Sequence, residues 1–204
     1  MSAEQVRKRS IERHCAAAIR ALAGHPDAEF RRELLFEGDQ GVTLLSPHLA
    51  LDVSRDSLAR CRGVADAMAL RLVHTDLSLH QSIMPPGDVA AMVFDTLEQL
   101  RAESLAPRGY RGMARNLDDA FNEWCRESRG SGLTENEVGL LIYTITQIVR
   151  SRLNGTQQDE EVEGLIESTR FRLGPLIGNE LAALRSLRHD QRAYAEKALI
   201  VAEV

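Results

Sequence analysis

One spacing governs this chain. From residue 54 to residue 201 apolar side chains return every three or four positions, and glycine and proline cut the runs. That period belongs to α-helices with one buried face. Leu58, Cys61, Ala65, Met68 and Leu72 predict a helix from about Ser54 to Val73. After Pro85-Pro86-Gly87, Asp88 is placed to cap a helix carrying Val89, Met92, Val93, Leu97, Leu100 and Ser104, with Pro107 and Gly109 beyond its end. Met113, Leu117, Phe121 and Trp124 mark the next, closed by Gly130-Ser131-Gly132. Thr134 and Glu137 have capping-box spacing before Val138, Leu141, Ile142, Ile145, Val149 and Leu153, and Asn154-Gly155 closes that helix. Asp159, Glu160, Glu161 and Glu163 suit the first turns of another, where carboxylates complement the helix dipole. Gly174-Pro175 is expected to break it, with Pro175 opening a successor, and Asp190 to cap a last helix through Tyr194, Leu199 and Val201.

The first quarter reads differently. Val6, Ile11, Cys15, Ile19 and Leu22 are helical, and Gly24 stops them. From 33 to 53 the period drops to two: Leu34 and Phe36, a turn at Gly38-Asp39-Gln40-Gly41, then Val42 and Leu44 predict a β-hairpin. Leu49, Leu51 and Val53 offer a third strand. The expected fold is therefore mainly α, a multi-helix bundle with a small hairpin or sheet near residues 33–53. Aromatics are 4% of the 204 residues, so leucine, isoleucine, valine, alanine and methionine must fill the core, which suits helix-on-helix packing. No long linker divides the chain. A single helical domain over 1–204 is expected, with a possible subdivision into 1–106, holding the hairpin, and 107–204.

Charge and motifs exclude several functions. A net charge of −5, with 25 basic residues that are dispersed and all arginine except Lys8 and Lys197, supplies no stripe for nucleic acid. Neither lysine follows a glycine, so there is no P-loop. Gly-x-Gly-x-x-Gly, His-Glu-x-x-His and Gly-x-Ser-x-Gly are absent as well. The run "DVSRDS" at 52–57 approaches the Asp-x-Ser-x-Ser magnesium loop of von Willebrand A domains but has Asp56 where the second serine belongs. Asp52, Ser54 and Asp56 are read as capping and first-turn residues. Three widely spaced cysteines, Cys15, Cys61 and Cys125, fit neither a disulfide framework nor a zinc knuckle. A charged N-terminus and the lack of a long apolar run argue against a signal peptide or membrane span, so a reduced, cytoplasmic chain is expected.

The chemistry that stays open lies in "RGVADAMALRLVHTDLSLHQSIMPPG", residues 62–87. His74, Asp76 and His80 form a reasonable ligand set for a divalent metal. Their spacing is unspecific, however, and a helix C-terminus attracts histidine through its carbonyls and dipole. A catalytic dyad lacks a nucleophile, since Cys61 lies about three and a half turns back along the same helix. The preferred reading is the polar mouth of a helix, with Arg62, Arg71, His74, Asp76 and His80 on or near a surface that a partner reads. Arg71 fits a buried bridge between helices equally well. No catalytic, cofactor-binding or metal residue is assigned to the chain on its own.

A resemblance adds to this reading. "RGVADAMALRL" at 62–72, then His80 and Pro85, "FDTLEQLRAE" at 94–103, "GMARNL" at 112–117, "RSRLNG" at 150–155 and "DQRAYAE" at 190–196 resemble, in order, the N-terminal region of the CobT subunit of aerobic cobaltochelatase. The chain departs from that family at Thr75, where a histidine usually precedes the aspartate; here the histidine is His74, while Asp76 and His80 keep their places. The resemblance implies cobalamin biosynthesis, within a three-part ATP-dependent chelatase that inserts cobalt into a corrin ring. In it a large subunit binds the corrinoid, an AAA+ subunit hydrolyses ATP, and this type of chain docks or regulates. ATP, Mg²⁺ and Co²⁺ would then belong to the complex rather than to this chain. The family's acidic linker and C-terminal von Willebrand A domain are not in these 204 residues, so a shortened or naturally short form is expected. A homo-oligomer, a metal-handling domain using His74, Asp76 and His80, and a generic helical oligomerisation module are the other readings. Nucleic-acid and membrane partners are not expected.

Overall fold

The computed structural model of the protein describes residues 3–31, 34–38, 40–42, 44–53 and 55–204. Among them are eight α-helices and one small antiparallel sheet: α1 (Ala3–Ala23), β1 (Ala28–Arg31), β2 (Leu34–Glu37), β3 (Gln40–Gly41), α2 (Leu58–His74), α3 (Leu77–Ile83), α4 (Asp88–Glu103), α5 (Arg111–Gly130), α6 (Glu137–Asn154), α7 (Glu160–Leu187) and α8 (Gln191–Ala202). Mainly α with a small sheet is the fold the periodicity predicts. The contacts group the chain into two compact units that interleave in sequence: residues 1–74 with 106–125, and 75–105 with 126–204.

In the first unit α1 packs on α2 and on β1. Ile11, Cys15 and Ile19 from α1 meet Val64 and Met68 from α2 in one apolar cluster. Gly24 takes φ +70° and ends α1, as a glycine can without a Cβ clash. The sheet runs β1-β2-β3, with Glu29 opposite Phe36 and Phe36 opposite Gly41. The first strand of the hairpin is where the alternation puts it, but the second is Gln40–Gly41, expected in the turn, while Val42 adds one bond to the Leu35 carbonyl and Leu44 lies outside the sheet. Glu33 and Asp39 lie outside the described residues. The third strand is a correction: it lies upstream at 28–31, whereas Pro47–Leu49 form a 3-10 turn. Proline at 47 lacks the N–H a strand ladder needs, and fits the first turn of a helix. Ser57 rather than the 52–56 run caps α2, its Oγ accepting from Arg60 N–H at 3.0 Å. Ser54 is outside the described residues. Asp56 instead accepts from Asp52 N–H and pairs with Arg60.

In the second unit α4 packs against α6 and α8, and α7 against both of those as well. Several helix ends are as expected: Asp190 caps α8 by accepting from Ala193 N–H, and Gly155, at φ +70°, closes α6. Three are not. Asn136 caps α6, accepting from Gly139 N–H at 2.7 Å, because Leu133–Glu135 form a 3-10 turn that takes Thr134 out of capping position. Gly87 precedes α4, so Asp88 is its first residue, not its cap. Finally, α7 runs unbroken through Pro175. By helical spacing Pro175 sits opposite the buried positions Leu173 and Ile177, on the side where the carbonyl freed four residues back meets solvent.

Candidate functional site

Beyond His74 the chain does not stay a helix mouth: Leu77–Ile83 form a separate short helix, α3. Asp76 creates it. Its Oδ1 accepts from Ser78 N–H at 2.9 Å, Leu79 N–H at 3.0 Å and the Ser78 hydroxyl at 2.6 Å. The Ser78 hydroxyl, then the Leu79 N–H, hold the Asp76 carboxyl below its ordinary value. The Asp76 backbone is clasped by one side chain of α8: Gln191 Oε1 accepts from Asp76 N–H at 2.8 Å and Gln191 Nε2 donates to the Asp76 carbonyl at 3.0 Å.

One turn on, His80 points inward. It is 3% exposed, its ring stacks on Phe94 with centroids 4.9 Å apart, and Nε2 lies 3.1 Å from Asp95 Oδ1. An ionised Asp95 can only accept, so Nε2 is the ring nitrogen placed to donate to it. Asp95 opens a polar face of α4 that is buried along its length. Glu98 Oε1 and Oε2 accept from Arg101 Nη2 and Nε, both at 2.7 Å, a bidentate pair in which each side chain is 2% exposed. Thr75 Oγ1 donates to the same Glu98 at 2.7 Å. Arg101 Nη1 donates to the Arg188 carbonyl at 3.0 Å, and its guanidinium lies 5.9 Å from the Tyr194 ring centroid. Tyr194 OH donates to the Leu97 carbonyl at 2.9 Å, and burial raises its phenol well above the ordinary value. Glu103 accepts from Gln99 Nε2 and pairs with Arg150 of α6. On α6 the buried hydroxyls of Thr144 and Thr146 donate back to the carbonyls four residues earlier.

A second group lies in the other unit. Gly63 on α2 faces α5 so closely that a Cβ there would stand 2.1 Å from the Asn116 carbonyl oxygen. Asn116 Nδ2 donates to Asp66 Oδ2 at 2.8 Å. Burial pushes the Asp66 carboxyl up, against the opposing pull of that hydrogen bond and of Arg62. Arg62, Asp66 and Asn116 border a cavity of about 340 Å³ whose walls include Ile11, Cys15, Leu58 and Ala65. Cys15 donates weakly to the Cys61 carbonyl at 3.5 Å, and burial pushes its thiol up to about 12, so it stays protonated and unreactive. All three cysteines are free and buried.

The predicted surface set therefore divides. Arg62 and Asp76 are exposed and His74, the last residue of α2, is half-buried. His80 is buried, which corrects its placement on a surface, and Arg71 is buried as the alternative reading of that residue had it. Of the candidate metal ligands, Asp76 caps α3 and His80 lies within it, and they face different partners, a helix N-terminus and Asp95. Reading the sequence missed Asp95, Glu98, Arg101, Glu103, Gln191 and Tyr194. The signal was there: Glu98 and Arg101 sit three apart, on the face of α4 opposite an apolar stripe that by itself suggests solvent.

These observations define a class first: a helical protein with a buried polar and ionic network along one central helix, α4. Residues 7–202 match the family model described as cobalamin biosynthesis protein CobT, and the chain belongs to that family. No solved structure matches it. Among the described residues no helix is long and apolar enough to cross a membrane.

Proposed function

We propose that this chain is a docking and regulatory module of an ATP-dependent cobaltochelatase in the cytoplasm, gripped by the AAA+ subunit and working beside the large corrinoid-binding subunit. It makes no bond itself. ATP and Mg²⁺ are bound by the motor, and Co²⁺ is cargo destined for the corrin ring. The observation that carries this reading is the use of charge on α4. Asp95, Glu98, Arg101 and Glu103 each engage another residue of this chain, so the buried ionisable groups of α4 hold a shape and do not face a substrate. Family membership supplies the pathway. The exposed Arg62 is the charge of the predicted surface set that a partner would read.

The test is co-elution. The 204-residue chain, mixed with the AAA+ subunit, ATP and Mg²⁺, is expected to leave a sizing column as one complex, and Arg62→Glu to weaken it. Separate elution of the wild-type proteins refutes the docking role. Turnover of ATP by this chain alone refutes its non-motor character.

A further inference from the structure

The cavity of about 340 Å³ in the first unit is lined by α1, α2 and α5. Most of its wall is apolar: Ile11, Cys15 and Ala18 from α1, Leu58 and Ala65 from α2. Its buried polar group is Asp66, and Gly63 fixes that group in place. Gly63 lets α2 touch the Asn116 carbonyl, and the side chain of the same Asn116 donates to Asp66 Oδ2 at 2.8 Å. Asp66 is only 7% exposed, yet its Oδ1 has no hydrogen-bond partner among the described residues, and neither has Asn116 Oδ1. Both atoms are acceptors. The Cys15 thiol is already spent on the Cys61 carbonyl. What this side of the cavity lacks is a donor, and a buried carboxylate without one is costly.

The exposed side is the reverse. Arg62 precedes Asp66 by one turn of α2, about 6 Å along the helix. At that spacing arginine and aspartate ordinarily pair. Here, among the described residues, no ion pair or hydrogen bond joins them, and Arg62 acts on Asp66 only through its field. Burial raises the Asp66 carboxyl more than Asn116 and Arg62 together lower it, as befits a carboxylate with no cation in contact. The Arg62 guanidinium has donors only, and they too have no partner among the described residues. His14 also lines the cavity, with its Nδ1 on the Ser10 carbonyl at 2.6 Å, so Arg62 is the fixed cation among the described lining residues. A ligand that meets both needs carries a cationic donor and an anionic acceptor close together on an apolar frame. Leu58, 46% exposed, is placed to cover such a frame.

We propose that this cavity binds a small aliphatic amino acid, with its ammonium group on Asp66 and Asn116, its carboxylate on Arg62 and its hydrocarbon chain against Ile11, Cys15 and Leu58. The volume lies at the small end of ligand pockets and suits a molecule of that size. The two charged contacts orient the ligand and the apolar wall supplies much of the affinity. This inference is independent of the docking role and goes beyond it, since it is read on the chain alone.

Titration calorimetry on the full chain at neutral pH tests it with three probes. L-Leucine is expected to bind with a dissociation constant of about 1 mM or below. Isoamylamine is leucine without its carboxylate, and isocaproate is leucine without its ammonium group. Each should bind about tenfold or more weakly than leucine. Asp66→Asn keeps an oxygen for the Asn116 amide and loses the negative charge; Arg62→Gln loses the cation. Either should weaken leucine binding by about tenfold or more. Ala18→Met fills the cavity without touching a polar group, and methionine is a good helix former. It should block leucine while circular dichroism stays that of the wild type. No saturable heat from leucine at about 20 mM overturns the inference. So does leucine binding that Asp66→Asn and Ala18→Met leave unchanged. Isoamylamine binding as tightly as leucine overturns the part given to Arg62, and isocaproate doing so overturns the part given to Asp66.

Discussion

The two units solve the same problem with a different balance of chemistry. In the first, helices are joined by apolar packing and by backbone approach: Gly63 lets α2 lie against the Asn116 carbonyl of α5, and the core is Ile11, Ile19, Val64 and their neighbours. In the second, the helix flanked by α6 and α8 carries Asp95, Glu98, Gln99, Arg101 and Glu103 inward, and hydrogen bonds join it to its surroundings. Apolar packing tolerates small shape changes when volume is conserved. A buried ionic network is less forgiving, because a lost partner strands a charge. The second unit should therefore respond far more sharply to the loss of a single polar group.

Glu98→Ala is the most severe break. It leaves the Arg101 guanidinium buried without its bidentate partner and removes the acceptor of Thr75 Oγ1. A loss of about 3–5 kcal/mol is expected in urea unfolding. Replacing both members, Glu98→Leu with Arg101→Met, sharpens the comparison: removing both charges together should harm less than removing one. A double variant as damaged as the single would mean that Arg101 acts mainly through the Arg188 carbonyl and Tyr194, not through Glu98.

Gly63→Ala is the corresponding break in the first unit. The added methyl would stand 2.1 Å from a backbone oxygen and 2.5 Å from the Ala120 Cβ, so α2 and α5 must separate. The expected loss is about 1–3 kcal/mol, read from the same urea titration. No change in the midpoint would show that the helices part freely and that this approach is not what fixes them.

How much of this contrast could be read in advance depended on which physical signal carried it. Period and punctuation located most of the helices and the first strand of the hairpin, and named the ends at Gly24, Gly155 and Asp190 correctly. They failed where one local rule concealed another. Asp76 read as part of the polar mouth of the preceding helix because a short helix capped by an aspartate leaves almost no periodic trace. Pro175 read as a stop because sequence alone does not show that its side of the helix faces solvent. The α4 network was invisible to apolar spacing, since Asp95, Glu98 and Arg101 occupy the side that an amphipathic helix gives to water; only packing on both sides of α4 makes them interior. Yet several of the segments that carry the family resemblance hold these ties: Gly63 and Asp66 to Asn116, Asp95 to His80, Gln191 to Asp76, and Tyr194 to Leu97.

The smallest expected effects test the contrast at two aspartates, Asp66 and Asp76, one in each unit. Burial raises the Asp66 carboxyl above 3.8, so the folded state prefers the acid form. The stability it contributes is complete below 3.8 and drains away as pH rises through the folded value. Asp76 is the reverse: its capping bonds lower the carboxyl, and its contribution, present above 3.8, is lost as pH falls through the folded value. Asparagine removes the titration at either site while keeping an oxygen that can accept the same bonds. Asp66→Asn should match the wild type in acid and overtake it as pH rises towards neutral, in denaturant unfolding at a series of pH values. Asp76→Asn should match it in acid and fall slightly behind at neutral pH, most visibly as faster amide exchange at Ser78 and Leu79. Equal slopes for the two variants would mean that burial does not control Asp66, and that its bond to Asn116 makes it behave like an exposed cap.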